Sequence, residues 1–133
     1  MKQKRGITVV SPMWGEREKT DRMVFSILHQ FIDKKKNPFG INLVLVDDYI
    51  EGRKEDGTSY YNFYVSEEFK QFYDPEYIEI TLIVNEEHKY QGESREIGFM
   101  AGKYPYFLLI DCDDMVAPNA CDRYLCAIKD NLK

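Results

Sequence analysis

The densest chemistry in the sequence lies at Asp111-Cys112-Asp113-Asp114, directly after the apolar run Phe107-Leu108-Leu109-Ile110. A strand of that composition is the kind a sheet buries on both faces. Such a strand seldom ends in concentrated negative charge unless something positive sits beside it. Carboxylate oxygens are hard ligands suited to Mg²⁺ or Mn²⁺, and Mg²⁺ is usually held by one or two carboxylates together with substrate phosphates. The pattern therefore predicts a divalent-cation site at the carboxyl edge of a sheet, made for a phosphorylated ligand. A second apolar run, Ile41 to Val46, also stops at acid, Asp47-Asp48.

The elements that must position these acids follow from periodicity. Gly6 to Ser11 reads as a short buried strand closed by Pro12. A helical pattern follows, with Met23, Val24, Ile27, Leu28, Phe31 and Ile32 on one face and Lys34-Lys35-Lys36 at its end, where cations suit the negative pole of a helix. Asn37-Pro38-Phe39-Gly40 breaks the chain before the second strand. From Glu51 to Pro75 the pattern weakens into a polar loop and an aromatic stretch, with a short helix capped by Ser66. Aromatics so dense form either a ligand platform or packing, and packing is the commoner outcome. Tyr77 to Val84 is the third strand, and a loop from Asn85 to Gly92 follows. Ser94 is placed to cap a helix running to Ala101, with Gly102 as its C-terminal stop. The acidic strand comes fourth, and Pro118-Asn119 opens a last helix with Cys121, Tyr124, Leu125 and Ile128 on its apolar face. This alternation predicts an α/β domain with a mainly parallel sheet covered by helices on both faces. Ligands of such sheets lie beyond the carboxyl ends of the strands, where strand order reverses. Trp14, Asp47-Asp48, Asn85 and Asp111-Asp113-Asp114 should then share one rim.

With 133 residues the chain reads as one domain over 1–133, and 44% hydrophobic against 31% charged residues gives no case for disorder. A net charge of -5 argues against a nucleic-acid backbone as the main partner. No apolar run is long enough for a membrane span, and the basic start Met1 to Gly6 leads into a strand too short for a signal-peptide core, so the cytoplasm is the expected location. Cys121 and Cys126 lack C-x-x-C spacing and a nearby histidine, so with Cys112 they read as small apolar fillers in a reduced compartment. His29 falls in a helical pattern and His88 in a charged loop, and neither reads as a ligand.

Several phosphate chemistries are disfavoured. After the first strand stands Ser-Pro-Met-Trp-Gly-Glu, with no glycine fingerprint, no Walker lysine and no nucleophilic aspartate pair. What remains resembles the nucleotide-sugar-binding half of the GT-A glycosyltransferases, in the large inverting family-two group. Ile7-Thr8-Val9-Val10-Ser11-Pro12-Met13-Trp14-Gly15-Glu16 resembles the family's opening strand and P-x-Y-N-E turn, with Trp14 in the aromatic position and Gly15 in place of asparagine. Leu43 to Asp48 is similar to its V-V-D-D strand end. Asn85, Gly92, Ser94, Arg95, Ile97 and Gly98 resemble its N-x-G-x-S-x-x-R-N-I-G segment, shortened between Gly92 and Arg95. Phe107 to Asp114 resembles F-L-D-x-D-D, the D-x-D motif, and Met115 to Ala120 the Y-L-x-P-N-A that follows it.

The resemblance implies a role for each residue. Asp111 and Asp113, alternating across an extended segment, would contact Mn²⁺ or Mg²⁺ and the ribose or diphosphate, while Asp114 ties the loop or caps the next turn. Pro12, Trp14 and Glu16 would line the nucleotide, with Trp14 stacked on the base. Asp47 and Asp48 would accept hydrogen bonds from base or ribose, and Arg95 would reach the base or phosphates with its donor fork. From the residues alone, Trp14 could equally be core, Asp47-Asp48 a turn, and Arg95 a partner of Glu93 or Glu96. The implied ligand is a nucleoside-diphosphate sugar, a UDP-sugar ahead of a GDP-sugar. Two departures stand out. Asp47-Asp48-Tyr49-Ile50-Glu51-Gly52 replaces the family's Asp-Asp-Gly-Ser, and no residue matches its catalytic base, which lies in the half following the D-x-D. The chain is thus expected to be the donor-binding part of a transferase completed by a following acceptor region, a partner or an oligomer. The alternative is a non-catalytic nucleotide-binding or regulatory domain of the same fold.

Overall fold

The computed structural model describes residues 3–131. Met1, Lys2, Leu132 and Lys133, the two ends of the expected single domain, lie outside them. Four strands form one parallel sheet: β1 (Gly6–Met13), β2 (Gly40–Asp47), β3 (Ile78–Val84) and β4 (Phe107–Leu109), in the order β3-β2-β1-β4. Helices α1 (Arg17–Leu28), α2 (Tyr90–Ala101) and α3 (Ala120–Asn131) alternate with them. The expected α/β architecture is present. Successive strands step outward from β1 to β3, and then the chain returns through α2 to place β4 on the other side of β1. That reversal of direction opens the crevice where ligands of open parallel sheets bind.

Side-chain alternation along β1 divides the core between the two faces. Ile7, Val9 and Met13 point into the larger cluster with Met23, Val24 and Ile27 of α1 and Cys121 and Leu125 of α3. Val10 points the other way, joining Val44 and Val46 of β2 beneath Ile97 and Phe99 of α2. The aromatic stretch has become core: Tyr61, Tyr64 and Phe69 are fully buried among short 3₁₀ turns at Asn62–Val65 and Glu68–Phe72. The Cys121 thiol, pushed up to about 12 by burial, is an inert filler there.

Gly98 lets α2 lie flat on the sheet. A Cβ at this position would overlap Cγ1 of Val10. Gly98→Val is therefore expected to destabilise the domain by about 1–3 kcal/mol, read as a lower urea midpoint at unchanged slope. Gly102 stops α2 as expected, but with φ -67 and ψ 145 it is extended, not left-handed. Its lack of a side chain serves close approach, since a Cβ would strike Thr8.

Three local expectations are corrected. Helix α1 ends at Leu28, so Phe31 and Ile32 leave its apolar face and Lys34-Lys36 do not meet its pole. The cause is tertiary: Gln30 Nε2 donates to the Ser26 and Ala117 carbonyls, and the Phe31 N–H donates to the Pro118 carbonyl at 2.6 Å. The lysines instead occupy a turn whose backbone N–H groups donate to the Asp33 carboxylate. Helix α2 starts at Tyr90, four residues ahead of the expected cap, and Ser94 is buried within it. Strand β4 is an edge strand, not a doubly buried one: Leu109 is 37% exposed.

Candidate functional site

All four strands deliver residues to one rim. After β1 the chain turns through Gly15, whose φ of +136° lies in the region that favours glycine. Its carbonyl accepts a hydrogen bond from the Tyr61 hydroxyl at 2.6 Å, which fixes the turn to the aromatic core. Trp14 stands on this turn 58% exposed, so it is not core. Its Nε1 donates to Glu51 Oε2 at 3.2 Å, and its ring meets Tyr49 edge-on at 5.5 Å. Glu16 occupies the N-cap position of α1 without a capping bond from its side chain.

The two acids that end β2 face opposite ways, as alternation requires. Asp47 is fully buried and turned inward: it accepts from Ser59 Oγ at 2.5 Å, the Tyr49 N–H at 2.7 Å and Arg53 Nε at 3.3 Å. The Arg53 guanidinium also donates to the Asp47 and Asn85 carbonyls. Asp48 faces the rim. It accepts from the backbone N–H groups of Lys89 and Tyr90 at 2.7 and 3.1 Å, which makes it the N-terminal cap of α2, supplied from another strand. That contact explains the early start of α2 and holds Tyr90 at φ 59. Asn85, at the end of β3, donates through Nδ2 to both Asp48 and Ser94. Burial opposes ionisation of Asp48, but the bonds from Lys89, Asn85, His88 and Tyr90 outweigh it and hold its pKa below the usual carboxylate value. Its contribution to stability is accordingly present above the unfolded carboxylate range and lost as pH falls through the lowered value.

After β4 the segment is a turn, not the extended strand expected, closed by the Asp114 N–H donating to the Asp111 carbonyl at 3.1 Å. The turn gathers Asp111, Asp113 and Asp114, all exposed, with one carboxylate oxygen from each within 4.8 Å of the others. None of the three carboxylates has a hydrogen bond or ion pair among the described residues. Cys112 Sγ donates to the Trp14 carbonyl at 3.4 Å, which ties the acidic turn to the β1 turn. Burial raises the pKa of that thiol.

Between these turns lies a cleft of about 920 Å³, bounded by Pro12, Trp14, Glu16, Asp48, Asp111 and Asp113 among others. That volume suits a cofactor-sized ligand. Asp47 does not reach it. Arg95 lies on a separate, smaller depression with Asp111 and Asp114, where its Nη2 donates to Gln91 and its Nε is buried without a partner. Glu51, His88 and Lys19 also border the cleft and were not singled out as ligand contacts by sequence reasoning. Each follows a strand end by a few residues, which is the only signal the sequence carries for them.

The chain matches the family described as Glycosyl transferase family 2 over residues 8–133. The chain belongs to that family. Among solved structures, a crystal structure of S. aureus TarS 1-349 superposes with a TM-score of 0.69 at 16% identity, covering 94% of this chain and 32% of TarS. TarS 1-349 in complex with UDP gives 0.68 at 16% identity, covering 94% and 32%. The complex with UDP-GlcNAc gives 0.66 at 14% identity, covering 94% and 31%. This family 2 chain thus spans about a third of the TarS chains it resembles, and the likeness establishes the GT-A fold. No curated protein matches the chain significantly. Several of the residues that carry the motif resemblance make contacts in the structure. Asn85 bonds Ser94, Gly98 lies on Val10, and Asp111-Cys112-Asp113 faces Trp14 across the cleft mouth. No helix among the described residues is long and apolar enough to cross a membrane.

Proposed function

We propose that this domain is the donor site of a metal-dependent glycosyltransferase, binding a nucleoside-diphosphate sugar for transfer to an acceptor. The observation that carries the reading is the cluster of carboxylates without a partner among the described residues, of which Asp111 and Asp113 border the cleft and Asp114 stands beside them on the smaller depression. Five carboxylates border the cleft (Glu16, Asp48, Glu51, Asp111 and Asp113) against a single lysine, Lys19. A diphosphate entering there meets net repulsion unless a cation accompanies it. The oxygen-only donor set fits Mg²⁺ or Mn²⁺, with Asp111 and Asp113 as principal ligands. When bound, such an ion supplies Lewis-acid relief of the charge developing on the diphosphate leaving group.

The chain's own residues supply orientation. Trp14 offers an exposed ring face for the base. Pro12 and Glu16 line the ribose side, and Asp48 accepts from sugar hydroxyls or the base edge. Lys19 approaches the phosphates from the first turn of α1. Arg95 engages the donor only from beyond Asp111, and Asp47 acts through the rim it buttresses. UDP is the first nucleotide to test, since TarS is described in complex with UDP and UDP-GlcNAc. The three free cysteines accord with work in the reducing cytoplasm. Calorimetric titration with UDP, GDP and CDP, each with and without Mn²⁺, is expected to show binding of at least one diphosphate that requires the metal. Absence of any metal-dependent binding would overturn the donor-site reading.

A further inference from the structure

His88 stands on the rim between two carboxylates, Asp48 and Glu51, and away from the acidic turn. Its Nδ1 lies 3.4 Å from Asp48 Oδ2 and its Nε2 2.5 Å from Glu51 Oε1. The other oxygen of Glu51 accepts the Trp14 indole N–H. One imidazole therefore joins the β2 end, the 3₁₀ turn Ile50–Gly52 and the β1 turn in a single line: Asp48, His88, Glu51, Trp14. Tyr90 stacks on the far side of the ring at 5.6 Å and 22°. Resting on the donor-site reading above, we propose that His88 is a positioning residue for the nucleotide base, acting through Glu51 to hold the Trp14 ring at the cleft.

The chemistry of imidazole gives this line a specific property. Both partners are carboxylates, which only accept hydrogen bonds when ionised. Imidazolium donates from both nitrogens and satisfies both partners, whereas neutral imidazole donates from one and turns a lone pair on the other. The charged groups around the ring are Asp48 from β2, Glu51 from the 3₁₀ turn, and Glu87 and Lys89 from its own loop. Lys89 is paired with Glu87 at 3.1 Å and Glu93 of α2 at 3.9 Å, so its charge is largely offset. The hydrogen bond to Asp48 raises the His88 pKa; desolvation opposes it, and the hydrogen bond and charge of Glu51 add to the rise. A raised folded value means the bridge is complete below the ordinary histidine pKa of about 6.5. It is lost as pH rises through the higher folded value. Loss releases Glu51, and with it the acceptor that orients the indole.

Trp14 is the single tryptophan of the chain, so its emission reads this line directly, with no ligand present. Emission wavelength and anisotropy of the full chain, followed from pH 5 to 9, should show one step with a midpoint above about 6.5. UDP affinity in saturating Mn²⁺ should weaken severalfold across the same step. His88→Gln should abolish both pH steps, and Glu51→Gln should abolish the emission step while leaving the fold intact by circular dichroism. A flat wild-type emission profile, or a step that survives in His88→Gln, would overturn the bridge. An emission step accompanied by pH-independent UDP affinity would overturn the positioning role. If no nucleotide binds at any pH while the emission step follows His88, the donor-site reading fails and the bridge itself stands.

Discussion

Asp113→Ala is expected to bind UDP no better with Mn²⁺ than without it. Loss of outer partners of metal ligands already costs about 10–100-fold in metal affinity, so removal of a direct ligand should cost at least tenfold, about 1.4 kcal/mol. The same substitution should leave unfolding unchanged within about 0.5 kcal/mol, as for other surface changes. The structure gives the reason for this separation: the Asp113 side chain is exposed and has no partner among the described residues. Calorimetric binding with and without metal, paired with urea denaturation, checks both halves. Undiminished metal-dependent affinity would remove Asp113 from the site.

Asp47→Ala is expected to do the reverse, weakening the fold by about 3–5 kcal/mol, the cost of breaking a buried ion pair on one side. The Asp47 carboxylate is fully buried and receives Ser59, the Tyr49 N–H and Arg53 together. Its loss strands a guanidinium whose side chain is only 16% exposed. Against a total of about 5–15 kcal/mol for a domain, that loss should populate the unfolded state measurably in mild urea. A double variant also lacking Arg53 should recover part of the stability, because no charge then stays buried without a partner. A single variant within 1 kcal/mol of wild type would show that water or another group reaches Arg53. Of two neighbouring aspartates, then, Asp47 is expected to serve the fold alone, whereas Asp48 caps α2 and also borders the cleft.

That division marks how far the residues alone could be read. Ile41 to Val46 announces a buried central strand because five of its six side chains are apolar, and β2 is buried throughout, with Asn42 accommodated by hydrogen bonds to Glu79, Thr81 and Lys103. The acids after it and after Ile110 announced the rim, because strand ends of a parallel sheet converge whatever lies between them. Which acid faces out was not legible, since consecutive residues look identical until the strand's phase is known. The end of α1 depended on Gln30 reaching Ala117, and the start of α2 on Asp48 reaching Lys89 and Tyr90. Contacts between distant segments leave no periodic trace near either partner. The same holds for His88 and Glu51, which stand in stretches that read only as polar loop.

The pairing of β4 with β1 has a consequence for how the protein comes to possess a site at all. The ladder between β4 and β1 has only three residue pairs, from Thr8 with Phe107 to Val10 with Leu109, and it joins segments far apart in the chain. Long-range pairings of this kind are slow to form, because the whole intervening chain must be ordered before they are rewarded. The acidic turn follows this short ladder directly, whereas the Trp14 turn follows the part of β1 that pairs with β2. The cleft therefore depends on this ladder, and fraying of the edge strand would carry the acidic turn away from it. A molecule spanning both turns favours the paired state by mass action, so occupancy and completion of the sheet reinforce each other.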